Sequence, residues 1–299
     1  MSSFAFRANE DLPHAVRRIA RHQIDMLRDE LRRAPRRDAV HEARKSSKKA
    51  RAVVRLVRDE IGEKRYRREN TTLRDAVRPL APVRDAEVLV HTLDVLAERF
   101  ADDVRLRTLD AVRRALRTDA RRVRRAPGTR AAVRHASALA GQVRSRLREW
   151  AIDGRGWPVL RPGLARIYKR ARAAKRRADG DTSTVTLHEW RKRTKDLRYA
   201  LELLVPTWPP VIGAFEEELH KLTDRLGDHR DLTRLAERVQ AAPDACGTSR
   251  DCAALLGLID ARRAELLEEA RPIAERVFSE KPRAFVARLH GYWTAPAGR

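Results

Sequence analysis

Aromatic side chains are scarce in this chain: Phe, Trp and Tyr together make up 5% of its 299 residues. Proteins that grip single-stranded nucleic acid usually stack bases on such rings, so this mode has little to work with. Cysteine is scarcer still. Cys246 and Cys252 share one loop-like stretch and form no C-x-x-C pair, so neither a disulfide framework nor a redox motif is expected, and a reducing compartment is. No apolar run approaches 18 residues, which leaves no candidate membrane helix. The opening MSSFAFRANEDLPHAV lacks the basic-then-apolar order of a signal peptide. The expectation is a cytoplasmic chain with no membrane partner. No alternating strand pattern of useful length occurs, and no P-loop, helix-turn-helix, zinc-finger or RRM signature calls for a cofactor or a folded nucleic-acid reader.

Acidic residues are also in deficit. Lys and Arg number 66 against 42 Asp and Glu, a net charge of +24. Only ten of the 66 are Lys. Arg presents a planar fork that bonds phosphate oxygens two at a time, so the bias suits a phosphate-bearing partner, although a GC-rich genome would also favour Arg.

The charge is organised. His41-Glu42-Ala43-Arg44-Lys45-Ser46-Ser47-Lys48-Lys49-Ala50-Arg51 returns 147 residues later as His188-Glu189-Trp190-Arg191-Lys192-Arg193-Thr194-Lys195-Asp196-Leu197-Arg198, and both fit H-E-x-R-K-x-x-K-x-x-R. Neither copy contains Gly or Pro. On an α-helix, His41, Arg44, Lys45, Lys48, Arg51 and Arg55 fall in one stripe about 120° wide and about 21 Å long. Ala43, Ser47, Ala50, Val54, Val57 and Ile61 take the opposite side. The second copy repeats this, with His188, Arg191, Lys192, Lys195 and Arg198 on one face and Trp190, Thr194, Leu197, Leu201 and Leu204 on the other. An ordinary solvated face mixes signs, because like charges three or four residues apart destabilise a helix. Two single-sign stripes favour an anion lying along both. Arg55 aligns with Glu202, so the second stripe is shorter and ends on an acid.

Nearly every segment has helical periodicity. Helices are expected near 13–34, 37–61, 63–78, 84–99, 102–125, 129–152, 162–178, 185–204, 211–226, 229–241, 251–270 and 272–290. Gly227 stands where a helix C-cap is expected. Asp153-Gly154-Arg155-Gly156-Trp157-Pro158 marks the best boundary, giving halves 1–153 and 157–299. The halves also align at Leu80-Ala81-Pro82-Val83-Arg84-Asp85 and Leu226-Gly227-Asp228-His229-Arg230-Asp231, and upstream at Arg18-Ile19 and Arg166-Ile167. The two Asp residues suit either helix capping or the site; Arg84 and Arg230 are assigned to the ligand. Arg18, Arg21, Arg166 and Lys169, from the first basic helix of each half, complete the expected contacts.

With these motifs the chain resembles the CHAD family, the conserved histidine α-helical domain, from Phe4 to about Arg288. Arg198-Tyr199-Ala200-Leu201-Glu202-Leu203-Leu204 is similar to the family's continuation of the second motif. The resemblance implies an all-α fold of two four-helix bundles related by a pseudo-two-fold axis, together one CHAD domain. It also implies binding of inorganic polyphosphate in a central basic groove or pore, and suggests association with polyphosphate granules. The E-x-E-x-K signature of the triphosphate-tunnel domain fused to some members is absent. Pro82 opposite Asp228 and Glu202 opposite Arg55 depart from strict symmetry.

Other chemistry fits less well. His41-Glu42 and His188-Glu189 open like a zinc H-E-x-x-H helix, but Lys45 and Lys192 occupy the second histidine's place and would repel a metal. A phosphohistidine intermediate lacks an evident acid–base partner, so no catalytic residue and no metal are expected. Each His either donates a hydrogen bond to a phosphate oxygen or anchors its helix. Nucleic acid, held nonspecifically through counterion release, is the alternative and weaker partner. The sequence leaves the oligomeric state open.

Overall fold

The computed structural model describes residues 3–7, 10–34, 36–100 and 106–295. Among them are α-helices and short 3-10 turns, and no strand. In chain order the helices are α1 (Leu12–Arg33), α2 (Arg37–Leu56), α3 (Arg58–Ile61), α4 (Glu63–Val77), α5 (Ala81–Arg99), α6 (Leu106–Arg125), α7 (Pro127–Arg146), α8 (Trp157–Gly180), α9 (Thr184–Leu204), α10 (Pro209–Gln240), α11 (Ser249–Val277) and α12 (Pro282–Thr294). The all-α expectation holds. The first residues of the helix expected over 102–125 lie outside the described residues.

Local chemistry sets many of the ends. Asp11 caps α1 by accepting from the His14 amide at 3.3 Å, and Thr248 caps α11 by accepting from the Asp251 amide at 3.1 Å. Gly62 closes α3 at φ +79°, a conformation that disfavours residues with a Cβ. Pro79 and Pro82 each lack an amide hydrogen, and the chain answers with a 3-10 turn over Arg78–Leu80 that separates α4 from α5.

Two expected breaks do not occur. α10 runs unbroken from Pro209 to Gln240, so Gly227 is a mid-helix residue and not a C-cap, and the helices expected at 211–226 and 229–241 are one. Gly227 and Asp228 retain the amide that Pro82 lacks, and Leu222, Leu226 and Leu232 stay buried through the junction. α11 likewise continues through Pro272 to Val277. A mid-helix proline costs about 3 kcal/mol, but Ala270, Ala274 and Val277 are packed in the core on both sides of it. The next helix therefore begins at Pro282 instead of Pro272.

The motif helices obey the wheel on their inner faces. Ala43, Ser47, Ala50, Val54, Val57 and Ile61 are buried, as are Trp190, Thr194, Leu197, Leu201 and Leu204. The two buried hydroxyls are satisfied: Ser47 Oγ donates to the Leu73 carbonyl at 2.7 Å, and Thr194 Oγ1 to the Trp190 carbonyl at 3.0 Å.

α1, α2, α4 and α7 pack around one another, and α8 through α10 form a second run of neighbours, with α2 against both α8 and α9. The main core does not stop at the 153–157 junction, because side chains of α1, α2, α4 and α7 share one cluster with those of α8, α9, α10 and α12. A second cluster joins α5 and α6 to the far end of α10 and the near end of α11. α8 approaches α2 so closely that a Cβ on Gly163 would stand 1.9 Å from the Leu56 carbonyl oxygen. Cys246 and Cys252 are joined in a disulfide at the α10–α11 junction, which corrects the expectation of two thiols. No described helix is long and apolar enough to cross a membrane.

Candidate functional site: a basic cavity between the motif helices

α2 and α9 lie side by side with their stripes turned to a common cavity of about 420 Å³. Nine of the seventeen expected residues line it: His41, Arg44, Lys45 and Lys48 from α2, Arg84 from α5, Arg191, Lys195 and Arg198 from α9, and Arg230 from α10.

Several of these are held in place. Arg84 donates from Nε to His41 Nδ1 at 2.8 Å. That bond leaves the imidazole proton on Nε2, in the neutral tautomer. Burial and the Arg84 charge both push the His41 pKa below its usual value. Arg44 donates to the Val77 carbonyl at 2.7 Å, an acceptor at the end of α4 made available by the break before α5. Lys45 pairs with Glu42 at 3.3 Å, and Arg198 with Glu216 at 2.7 Å.

Others make no direct ion pair. Among the described residues, Lys48, Lys195 and Arg230 make no hydrogen bond or ion pair. Burial, and after it the proximity of Lys195, holds Lys48 well below the ordinary lysine range. Burial, then Arg191 and Arg198, brings Lys195 down to about 8. Arg191 is also lowered, by burial above all, and its buried Nε has no hydrogen-bond partner. Its guanidinium lies against Gly227 of α10, where a Cβ would come within 3.0 Å of Nη2. Buried like charges without partners are unfavourable, and an anion among them relieves both burial and repulsion.

Four acids also line the cavity: Asp85, Asp224, Asp231 and Glu202. Asp231 sits mid-helix in α10 and Asp85 in the second turn of α5, so neither caps a helix. Asp85 pairs with Arg234. The charge of Asp231 acts on Arg84 and Arg191. The duplicated Arg-Asp was the signal for both. Lys49, Tyr199 and His220 also line the cavity and were not anticipated as site residues.

Eight expected residues lie elsewhere. Arg51 turns to α4 and donates to Asn70 Oδ1 at 3.1 Å; burial and the Arg55 charge lower its pKa to about 10. Arg55 pairs with Asp196 at 3.0 Å in a separate, smaller cavity that also holds Arg166. Arg166 pairs there with Asp59 at 2.7 Å. Arg18 pairs with Glu10 at 2.6 Å and anchors the N-terminal segment through the Ala5 carbonyl at 2.9 Å. His188 and Lys192 are exposed near the start of α9. Lys192 pairs with Glu189 at 3.1 Å, while burial and the neighbouring Arg230 lower the His188 pKa. Arg21 and Lys169 are exposed on α1 and α8.

The division between the two cavities has a simple construction. Lys49 meets Glu202 at 2.6 Å on the main cavity's side, and Arg55 meets Asp196 on the other. At the 147-residue offset Lys49 aligns with Asp196 and Arg55 with Glu202. The two pairs are therefore one contact and its exchange image, with both cations on α2 and both acids on α9. Beyond Lys49–Glu202 the cationic face of α2 is covered, which takes Arg51 and Arg55 out of the main cavity.

No group of three or more His, Cys, Asp or Glu among the described residues is placed to hold a metal ion. A family model described as the CHAD domain matches residues 12–240. Two curated proteins of Mycobacterium tuberculosis are similar along most of the chain. Uncharacterized protein MT2285 is 29% identical over 281 residues, covering 90% of this chain and 53% of its own length. Uncharacterized protein Rv2226 is 30% identical over 285 residues, with the same coverage of 90% and 53%. The chain thus spans about half the length of the curated relatives it matches.

Proposed function

This chain belongs to the CHAD domain family, and on that premise we propose that its central cavity binds inorganic polyphosphate without altering it chemically. One observation carries the reading: cations from four helices converge on a single cavity, and Lys48, Lys195 and Arg230 among them make no hydrogen bond or ion pair with a described residue. A row of phosphates supplies the missing charge at every step. The forked donors of Arg44, Arg191 and Arg230 suit phosphate oxygens, and His41 keeps an Nε2 proton to donate. Low-dielectric walls strengthen these contacts over those of an open patch.

Nucleic acid is the weaker candidate. The one Phe, Trp or Tyr side chain lining the cavity, Tyr199, is 4% exposed, and Trp190 is packed in the core, so bases find no large ring to stack on. A non-catalytic, cytoplasmic polyphosphate binder of this kind would travel with polyphosphate granules.

The deciding experiment is a competition titration at physiological salt. Long-chain polyphosphate competes against single- and double-stranded nucleic acid of equal total charge. A preference for polyphosphate above about tenfold, or roughly 1.4 kcal/mol, is expected; equal affinities would overturn the reading. Chain length and free phosphate, followed in the same samples with divalent metal added, should remain constant, and metal-dependent shortening would make the protein an enzyme.

A further inference from the structure

A run of unpaired charge outside the cavity lies on α6. Arg114, Arg117, Arg121 and Arg125 follow one another at spacings of three, four and four, which confines them to about 80° of the helix surface. All four are exposed, and none makes an ion pair with a described residue. Leu109, Val112 and Leu116 hold the opposite face in the core shared with α5, α10 and α11. The stripe is about 16 Å long at 1.5 Å per residue. Its neighbours are paired where it is not: Arg113 meets Asp94 at 2.6 Å, Arg122 meets Asp119 at 3.0 Å, and Arg238 of α10 also pairs with Asp119. Asp110, bonded to Arg113 at 2.6 Å, closes the far end.

The near end points at the cavity. Arg124 lies 3.7 Å from Glu87 of α5. Glu87 stands one turn from Arg84, whose Nε holds His41 at the cavity wall. α6 runs antiparallel to α5, since its start is tied to Asp94 and its end to Glu87. Arg125 is therefore at the end of the stripe nearer the cavity, and Arg114 is the residue farthest along the track. Like charges at these spacings repel and are tolerated more readily with an anion alongside.

We propose that this arginine stripe is a second contact tract for polyphosphate, receiving the part of a long chain that extends past the cavity mouth at Arg84. The proposal rests on the polyphosphate reading of the cavity and adds a dependence on chain length. Tripolyphosphate is too short to occupy cavity and stripe together. A long chain reaches both and gains from their connection, as any tethered second contact does.

The test replaces Arg114, Arg117, Arg121 and Arg125 by Gln in the full chain and compares tripolyphosphate with long-chain polyphosphate over a range of salt concentrations. Tripolyphosphate should bind the variant as it binds the parent. Long-chain affinity should fall by about tenfold or more, and the slope of log affinity against log salt should flatten by about three to four units. Lys at the same four positions should restore most of the loss, which separates charge from folding. An unchanged long-chain affinity, or an equal loss for both probes, would overturn the tract. Selective loss of duplex DNA binding with long-chain polyphosphate intact would assign the stripe to nucleic acid and overturn it equally. If the parent binds neither polyphosphate, the cavity reading itself falls and takes this one with it.

Discussion

At the scale of single residues, the site is tuned by what its cations lack. Lys195 loses its proton near pH 8 in the free protein, and a phosphate beside it moves that value back up toward the ordinary lysine range. Binding therefore takes up a proton above pH 8. Affinity should fall as pH rises from about 8 toward 10.5, while below pH 8 Lys195 is charged in both states and adds no slope. His41, lowered from 6.5, adds a slope of the same sign at lower pH. Calorimetric titration in two buffers of different ionisation enthalpy counts the protons directly, and Lys195→Met should reduce the uptake above pH 8, Lys48, also held below the ordinary lysine range, being the other lysine there that can take up a proton. The aligned arginines Arg44 and Arg191 should behave differently. Arg44→Ala removes the bond to the Val77 carbonyl and should cost about 1.5 kcal/mol or more in urea unfolding. Arg191→Ala removes a buried cation with an unpaired Nε, and should leave stability within about 0.5 kcal/mol or raise it. Both should weaken polyphosphate binding.

At the scale of helices, the positions of close approach decide what the chain tolerates. Gly163→Ala drives a methyl group into the Leu56 backbone, which no rotamer change can relieve. It should destabilise the fold by about 3 kcal/mol, read by chemical denaturation, and it should disturb the cavity through α2. Much of this level was legible beforehand. The inner faces of α2 and α9 were read from period alone, because a helix wheel fixes angle. It does not fix depth: Arg51 and Arg55 share the stripe's angle, yet lie past the Lys49–Glu202 contact where the face is covered. Local propensity predicts breaks at Gly227 and Pro272 that do not form, because it carries no information about the core that holds α10 and α11 together. The acids of the cavity were half visible, as the repeated Asp85 and Asp231, but their place mid-helix depended on α10 being continuous.

At the scale of the molecule, a net charge of +24 is divided among a walled cavity, an outer arginine track and many surface arginines already matched to acids. The first two each gather several cations that make no ion pair with a described residue. The scaffold that makes this division is shared between the sequence halves, since one core includes helices of both and α5–α6 rest on α10–α11. The ion pairs Lys49–Glu202 and Arg55–Asp196 give that sharing a direction. Were two copies of the first half to associate in the same way, Lys49 would meet Arg55; two copies of the second would set Asp196 against Glu202. Each half is thus repelled by its own kind and attracted only by the other. A contact that could have served a symmetric pair of identical subunits has become a lock and its key, so the halves are no longer interchangeable and neither can replace the other within the fold.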